Sequence, residues 1–495
     1  MGIVFRQSIN TSIVILTGSV IGLIFTYWQT KVMIKTEIGI SKNIIYLAVV
    51  LQSLTMFGGP SILLTFIHRY TKNDPRKGVL FSTLLSIPLI TTFIFCIPYF
   101  LFRHLILSKY QAIDQPYYDE FFVWVPVLTL LWSYMTIFEF YLIGIMKAAL
   151  ATFMKEVVLK VANLILLALF AFQFINFRFF VIGSVLSYSI PLAILIFYTN
   201  RDRKIRLSFD WKLFSKSETK EIFHFGWYHM LISIALNLVA YIDQLMLAPL
   251  SQEGSSVLAV YSIAIFLVSF VSIPYKAMLS AAIPKLNEAF IEKDNAHLAL
   301  LFNRANLNIL LATAFFGVLI ICNLHNAVAI LPKGYESLKP LFLILFLGRL
   351  IDVSTGLNQE FISITPHYKF TFWAATVYIV IALVGNRIFI PLYGVYGAAW
   401  VAAFSLAIYN IVKAVYLKHK FGLYPIEKKG LIIFPIVAVT YCISYLIPQF
   451  SNPFLDGLIR TPIVAIVMIA LLLWLKPSDD VKEYWQTVKK KKRLF

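Results

Sequence analysis

The chain has 495 residues, of which 60% are hydrophobic and only 14% charged, a balance that excludes an ordinary soluble enzyme. Its formal net charge of +19 would suggest nucleic acid in a soluble protein. Here the basic residues gather in short segments, Arg69–Lys77, Arg201–Lys220, Lys413–Lys429 and Lys489–Arg493, with no folded basic surface carrying interleaved aromatics, so nucleic-acid binding is not expected.

Between those segments lie apolar runs long enough to cross a bilayer, which takes about 20 mostly apolar residues. They fall near 10–30, 43–67, 79–102, 121–146, 157–176, 179–199, 225–249, 257–280, 305–324, 338–357, 370–390, 394–416, 431–449 and 457–475. With both termini placed in the cytoplasm, Lys and Arg concentrate in the loops on that side, which is the positive-inside bias. The pattern predicts an all-α polytopic membrane protein of about 14 transmembrane helices. The first run is too long for a signal peptide and lacks a small-residue cleavage pattern, so it reads as a spanning helix.

Taken in order, the second run carries Gly58-Gly59-Pro60, the third Pro88 and Pro98, and the eighth Pro274 with Pro284 just beyond. Proline removes a backbone donor, so each site predicts a bend that is either a static kink or a hinge between two access states. The longest polar interruption, Asn200–Glu221, mixes basic residues with Leu207, Phe209, Trp211, Leu213 and Phe214, as a segment lying along the membrane surface would. It divides the chain into an N-terminal lobe at 1–199, a cytoplasmic linker at 200–221 and a C-terminal lobe at 222–416. Two further spans occupy 417–475, and a basic tail 476–495. Thr36-Glu37-Ile38-Gly39 with Tyr46 and Pro60 runs parallel to Gln252-Glu253-Gly254 with Tyr261 and Pro274. That likeness predicts two six-helix lobes in parallel pseudo-repeat, with a site between them.

No Gly-rich phosphate loop, HExxH or nucleophile elbow is present, and no outer loop has room for a catalytic domain. Neither an enzyme nor a cofactor is expected. Cys96, Cys322 and Cys442 are isolated, without metal-ligand or disulfide spacing, and read as packing residues. The informative residues are the ionisable ones inside spans, each costing about 2.5–3.5 kcal/mol at a helix centre. They are Glu139, Asp243, Lys276, Arg349 and Asp352. Arg349, mid-span, has the forked donors to hold a phosphate. Asp352, three residues on, shares its face, so the two form either a self-neutralising pair or a cationic contact restrained by a carboxylate. Lys276 is a second candidate contact, or it snorkels to the headgroups. Asp243, Asp352 and Glu139 are candidates for gating or ion coupling, with Lys147 or another helix as the partner of Glu139. Glu156 and Lys160 read as a helix-surface pair.

Several stretches resemble bacterial oligosaccharide flippases. They include Tyr241-Ile242-Asp243-Gln244-Leu245-Met246-Leu247, Val260-Tyr261-Ser262-Ile263-Ala264, Ile273-Pro274, Ile283-Pro284-Lys285 and Glu292-Lys293-Asp294. So does Ile390-Pro391-Leu392-Tyr393-Gly394-Val395-Tyr396-Gly397-Ala398-Ala399-Trp400, and the opening Met1-Gly2-Ile3-Val4-Phe5-Arg6-Gln7-Ser8 with Glu37 and Gly39 is similar to members from polysaccharide gene sets. The resemblance is to the Wzx-like branch of the multidrug/oligosaccharidyl-lipid/polysaccharide (MOP) exporter superfamily. It implies a flippase that moves polyprenyl-diphosphate-linked oligosaccharide across the bacterial inner membrane by alternating access, serving polysaccharide, O-antigen or lipopolysaccharide biosynthesis. The implied partners are the lipid-linked oligosaccharide and membrane lipids, with polysaccharide assembly proteins left open and a monomer expected. A sodium- or proton-coupled exporter of small molecules or drugs is the alternative.

Overall fold

In hydrocarbon every backbone N–H and C=O must find a partner inside its own segment or a neighbour, and the apolar runs accordingly fold as helices. A computed structural model describes residues 2–67, 69–70, 74–145, 147–201, 208–367, 369–424 and 428–478. Among the described residues there is no strand. Among the described residues nine helices are long and apolar enough to cross a membrane, or ten if one bent pair counts as a span. The basic tail beyond Ser478 and most of the polar interruption before Ser208 lie outside the described residues.

By packing, the chain divides into Met1–Ala259 and Val260–Phe495. The first unit begins with α1 (Gly2–Val32), α2 (Lys35–Thr55), α3 (Gly59–Phe66) and α4 (Pro75–Leu101). Two short helices follow, α5 (Arg103–Leu107) and α6 (Gln115–Phe121), then α7 (Trp124–Gly144). Next, α8 (Ala148–Phe153) runs through a π turn at Met154–Val158 into α9 (Leu159–Ala171). After α10 (Phe177–Leu186) and α11 (Ser189–Arg201) comes the long α12 (Lys216–Leu250). Within this unit α12 packs on α2 and α3. Tyr241 stacks on Tyr46 at 5.4 Å, and Phe57 meets Phe223 and Trp227.

The proline signals have three outcomes. At Gly58-Gly59-Pro60 the helix breaks: Gly58 is left-handed (φ 66°) and Pro60 sits in the first turn of α3. A Cβ on Gly58 would lie 2.5 Å from the Gly226 carbonyl oxygen. Pro88 and Pro98, by contrast, stay inside a continuous α4. The third outcome is at Pro274, which opens a new helix after a break at Ser272. At one end of this unit, Arg69 pairs with Glu221 at 2.6 Å and Arg76 with Glu218 at 3.1 Å. The Arg76 guanidinium also bonds Asp74 and holds its carboxyl below the usual carboxylate range. At the other end, Tyr118 links Asn43 and Ser255, each at 2.7 Å, while the Ser255 N–H donates to Asp114.

The second unit takes up α13 (Ser256–Val271), which crosses the division, and continues with α14 (Ile273–Ile291), α15 (Asn295–Cys322) and α16 (Leu324–Ala329). Then come α17 (Leu338–Ser354), α18 (Asn358–Ile364) and α19 (Lys369–Phe421), followed by α20 (Ile433–Ser444) and α21 (Pro453–Leu475). Two of these are not simple rods. α17 and α18 meet at a 43° bend, and α19 is two helices joined across a kink at Gly394 (φ 56°). One core joins Leu310, Ala314, Val318, Phe342, Phe346, Ile433, Val464 and Met468. A second gathers Leu286, Phe302, Leu357, Phe361 and Leu417.

The α20–α21 hairpin is pinned by a buried ion pair, Arg460 (3% exposed) with Asp456 (0%). The guanidinium bonds both carboxylate oxygens and the carbonyls of Ser444, Ile447 and Pro448, while Asn326 of α16 donates to Asp456. Removing either partner strands the other charge, so Arg460→Met or Asp456→Leu should each cost about 3–5 kcal/mol, and the double variant should recover part of that. Chemical unfolding in micelles checks this, and simply additive losses would show that the two are uncoupled. Gly58→Ala should cost about 1–3 kcal/mol by the same measurement, because it puts a side chain on a left-handed residue beside the Gly226 carbonyl.

Candidate functional site

Helix α17 carries Arg349 about 16 Å from its start at a rise of 1.5 Å per residue, well inside a membrane-length run. Its guanidinium Nε donates to Ser272 at 2.6 Å and its Nη1 to Asp352, also at 2.6 Å. The expected i,i+3 pair is therefore present, with the side chains 32% and 22% exposed. The third nitrogen, Nη2, has no hydrogen-bond partner among the described residues.

Around this pair the bend between α17 and α18 and the second limb of α19 bring in more polar side chains. Asn410 donates to the other Asp352 oxygen at 2.9 Å and accepts from Thr355 at 3.0 Å. The Tyr409 hydroxyl donates to Gln359 at 2.7 Å. Lys413, buried at 3% exposure, holds its ammonium 3.9 Å from the centre of the Tyr409 ring. Glu360 lies near Tyr275, and its buried Oε2 has no hydrogen-bond partner among the described residues. Arg349, Asp352 and Glu360 all lie within electrostatic reach of Lys413. Of the four, Asp352 is held by two side chains, Arg349 and Asn410. Lys276 lies on α14 four residues after Ser272, with its side chain outside the described residues.

The other candidates are in the first unit. Asp243 is buried on α12 and accepts the backbone N–H of Gln244, near Tyr46 of the Tyr46–Tyr241 stack. Glu139 on α7 faces Lys155 of the π turn at 3.6 Å, so its partner comes from the next span. Glu156 and Lys160 form the expected pair at 2.7 Å, but Lys160 also donates to the Gly18 carbonyl of α1, deep within the span. The π turn brings the Glu156 carbonyl against Gly18, where a Cβ would lie 2.5 Å away.

Sequence patterning missed several members. Lys413 was assigned to a basic loop, but α19 runs on to Phe421 and takes it into the helix. Glu360 and Gln359 fell in an interruption between apolar runs that is in fact α18. Arg460 and Asp456 sit at the edge of the last run, and Lys42 lies inside α2, not in the loop before it. For Lys42, Asp456, Gln359 and Glu360 the helices extend beyond the apolar runs, which is why patterning passed over them.

These features define a helical, multi-pass membrane protein. The family model described as "Polysaccharide biosynthesis protein" matches residues 4–290, and the chain belongs to that family. No curated protein sequence matches. Among solved structures, the chain is similar to the lipid II flippase MurJ in an inward closed conformation. The TM-score is 0.72 at 15% identity, covering 94% of this chain and 98% of that one. It is also similar to an inward-facing multidrug resistance MATE family transporter of the MOP superfamily, with a TM-score of 0.65 at 14% identity, covering 83% and 98%. A MOP superfamily transporter from Pyrococcus furiosus matches with a TM-score of 0.60 at 13% identity, covering 85% and 95%. The fold is that of the MOP transporters, and these relatives in fold are flippases and transporters, not enzymes.

Asn410 bonds both the Asp352 carboxylate and the Thr355 hydroxyl. Asn410→Leu takes away the partner of one Asp352 oxygen, while Thr355 keeps its bond to the Asp352 carbonyl, and should lower stability by about 1–3 kcal/mol. Thermal unfolding of the purified protein reads this out, and an unchanged midpoint would show that Asp352 needs no second partner.

Proposed function

We propose that the protein is a flippase for polyprenyl-diphosphate-linked oligosaccharide, working by alternating access in polysaccharide biosynthesis of the O-antigen or lipopolysaccharide kind. The observation that carries this reading is Arg349. It is a guanidinium in mid-span, a third exposed, held on two edges by Ser272 and Asp352 and with no partner for Nη2 among the described residues. A forked donor of that kind suits a diphosphate oxygen. In this reading Lys276 is the second contact, and Asp352 restrains Arg349 between cargoes. Asp243 and Glu139 serve gating or ion coupling. The family description and the likeness in fold to a lipid II flippase support the class of cargo. We place the protein in the bacterial inner membrane as a monomer with both termini cytoplasmic, its lobes built from spans 1–6 and 7–12.

The alternative, an ion-coupled exporter of small molecules, has its support in the likeness to MATE transporters. The mid-span arginine weighs against it for cationic drugs, which it would repel.

The test is reconstitution in liposomes with a fluorescent polyprenyl-diphosphate oligosaccharide, scored by loss of leaflet protection. Arg349→Gln should insert normally and slow flipping by roughly ten-fold or more, the equivalent of one charge-assisted hydrogen bond lost. Arg349→Lys should fall between the two. Wild-type rates in Arg349→Gln would remove this residue from the mechanism, and gradient-driven export of a cationic dye with no glycan movement would favour the exporter.

A further inference from the structure

Three tyrosines and a tryptophan from separate parts of the first unit converge inside it. Tyr46 of α2 stacks on Tyr241 of α12 with ring centroids 5.4 Å apart. Tyr188, in the turn between α10 and α11, lies within electrostatic reach of Tyr241. Its ring centroid is 5.0 Å from that of Trp132 on α7. At a rise of 1.5 Å per residue Tyr46 is about 16 Å along α2 and Trp132 about 12 Å along α7, well inside membrane-length helices.

Neither the three phenol hydroxyls nor the Trp132 indole N–H has a hydrogen-bond partner among the described residues. None of these four polar atoms is sealed in the interior either, so each opens on accessible space. Other tyrosines of this unit differ: Tyr118 bonds Asn43 and Ser255, and Tyr99 the Phe122 carbonyl. A polar group at membrane depth is costly unless it is bonded. Four donors gathered at one place therefore call for acceptors from outside the protein.

The chemistry of the four donors selects among occupants. Tyr46 and Tyr188 are 9% and 7% exposed, whereas Phe93 on the outside of α4 is 72% exposed, so the cluster is not part of the lipid-facing surface. An acyl chain, moreover, offers no acceptor. An organic cation offers none either, and Asp243, the carboxylate beside Tyr46, is 6% exposed and accepts the Gln244 N–H. A saccharide answers both features of the cluster. Its hydroxyl oxygens accept from the donors, and the apolar C–H face of its ring packs on an aromatic face such as those of the half-buried Trp132 and Tyr241.

We propose that Tyr46, Tyr188, Tyr241 and Trp132 form a saccharide subsite for the polar head of the cargo. The proposal rests on the flippase reading for the source of the sugar. Uncharged donors bond more weakly than charged ones, which suits a head that must be released again.

The test compares the polyprenyl-diphosphate oligosaccharide of the flipping assay with polyprenyl diphosphate, which shares its tail and phosphates but carries no sugar. The Kd of each is measured on the full-length protein in amphipol. The wild type should bind the glycan-bearing lipid roughly ten-fold tighter than the bare one. The triple variant Tyr46→Phe, Tyr188→Phe, Tyr241→Phe keeps every ring and removes only hydroxyls without a partner among the described residues, so its Tm should match the wild type. It should bind both lipids with the Kd of the bare one. Equal Kd values in the wild type, or a sugar increment that survives in the triple variant, would overturn the subsite and leave the flippase reading intact. Binding of neither lipid would overturn both. Ethidium binding that weakens in the triple variant, with the two lipids binding alike, would assign the cluster to organic cations instead. If the triple variant does not fold, the single variants decide: a loss of about two-fold or more in glycan-lipid binding in any of them supports the subsite, and wild-type binding in all three overturns it.

Discussion

The structure depends on one constraint: a polar group placed in hydrocarbon must be satisfied from within the protein. Serine and threonine show it at the smallest scale. Ser82, Thr129, Ser133, Thr136 and Thr440 each bond the carbonyl four residues back, so their hydroxyls cost the helix little. The same constraint decides where a span can break. The break at Gly58 is packed against α12, and the bend between α17 and α18 has its turn bonded by Thr355, Asn410 and Asn306. Irregular backbone appears where neighbouring groups complete its bonding.

Two arginines show how the constraint separates architecture from function. Arg460 makes five hydrogen bonds, at least one from each of its three nitrogens, and at 3% exposure it is closed to anything outside the protein. Arg349 makes two and is a third exposed. Both pay the cost of placing a guanidinium in a span. The first returns it as attachment of the α20–α21 hairpin, while the second leaves part of its bonding capacity unused. An intramembrane cation whose Nη2 has no partner among the described residues suits an anion, and that contrast, not the presence of arginine alone, is why Arg349 and not Arg460 is the candidate for the proposed contact.

The helical class was legible because apolar length is a local property of the sequence. So was the Arg349–Asp352 pair, which needs only the helical period. The proline signals were legible as positions but not as outcomes: Pro88 and Pro98 left α4 continuous, whereas Gly58 and Ser272 mark real breaks. What could not be read was pairing at long range. Asp352 meets Asn410 from 58 residues away and Asp456 meets Asn326 from 130, distances over which composition carries no register. Glu139 found Lys155 because a π turn, invisible in hydropathy, rotates that residue towards α7. Lys413 and Glu360 were lost because charge was taken to mark a loop, and here charged residues continue the helices.

The partner exchange proposed for Arg349 is physically economical because of how Asp352 is held. A carboxylate released by its arginine in a membrane would ordinarily be stranded at a cost of several kcal/mol. Here Asn410 keeps one oxygen of Asp352, and Lys413 stands within electrostatic reach. The Ser272 hydroxyl meanwhile holds Nε and keeps the guanidinium plane in place as Nη1 changes partners. The rearrangement thus swaps one charge-assisted bond for another, without exposing a bare charge. Fixing the arginine by its Nε edge and the carboxylate by its far oxygen lets the contact between them open and close while the helices that carry them stay packed.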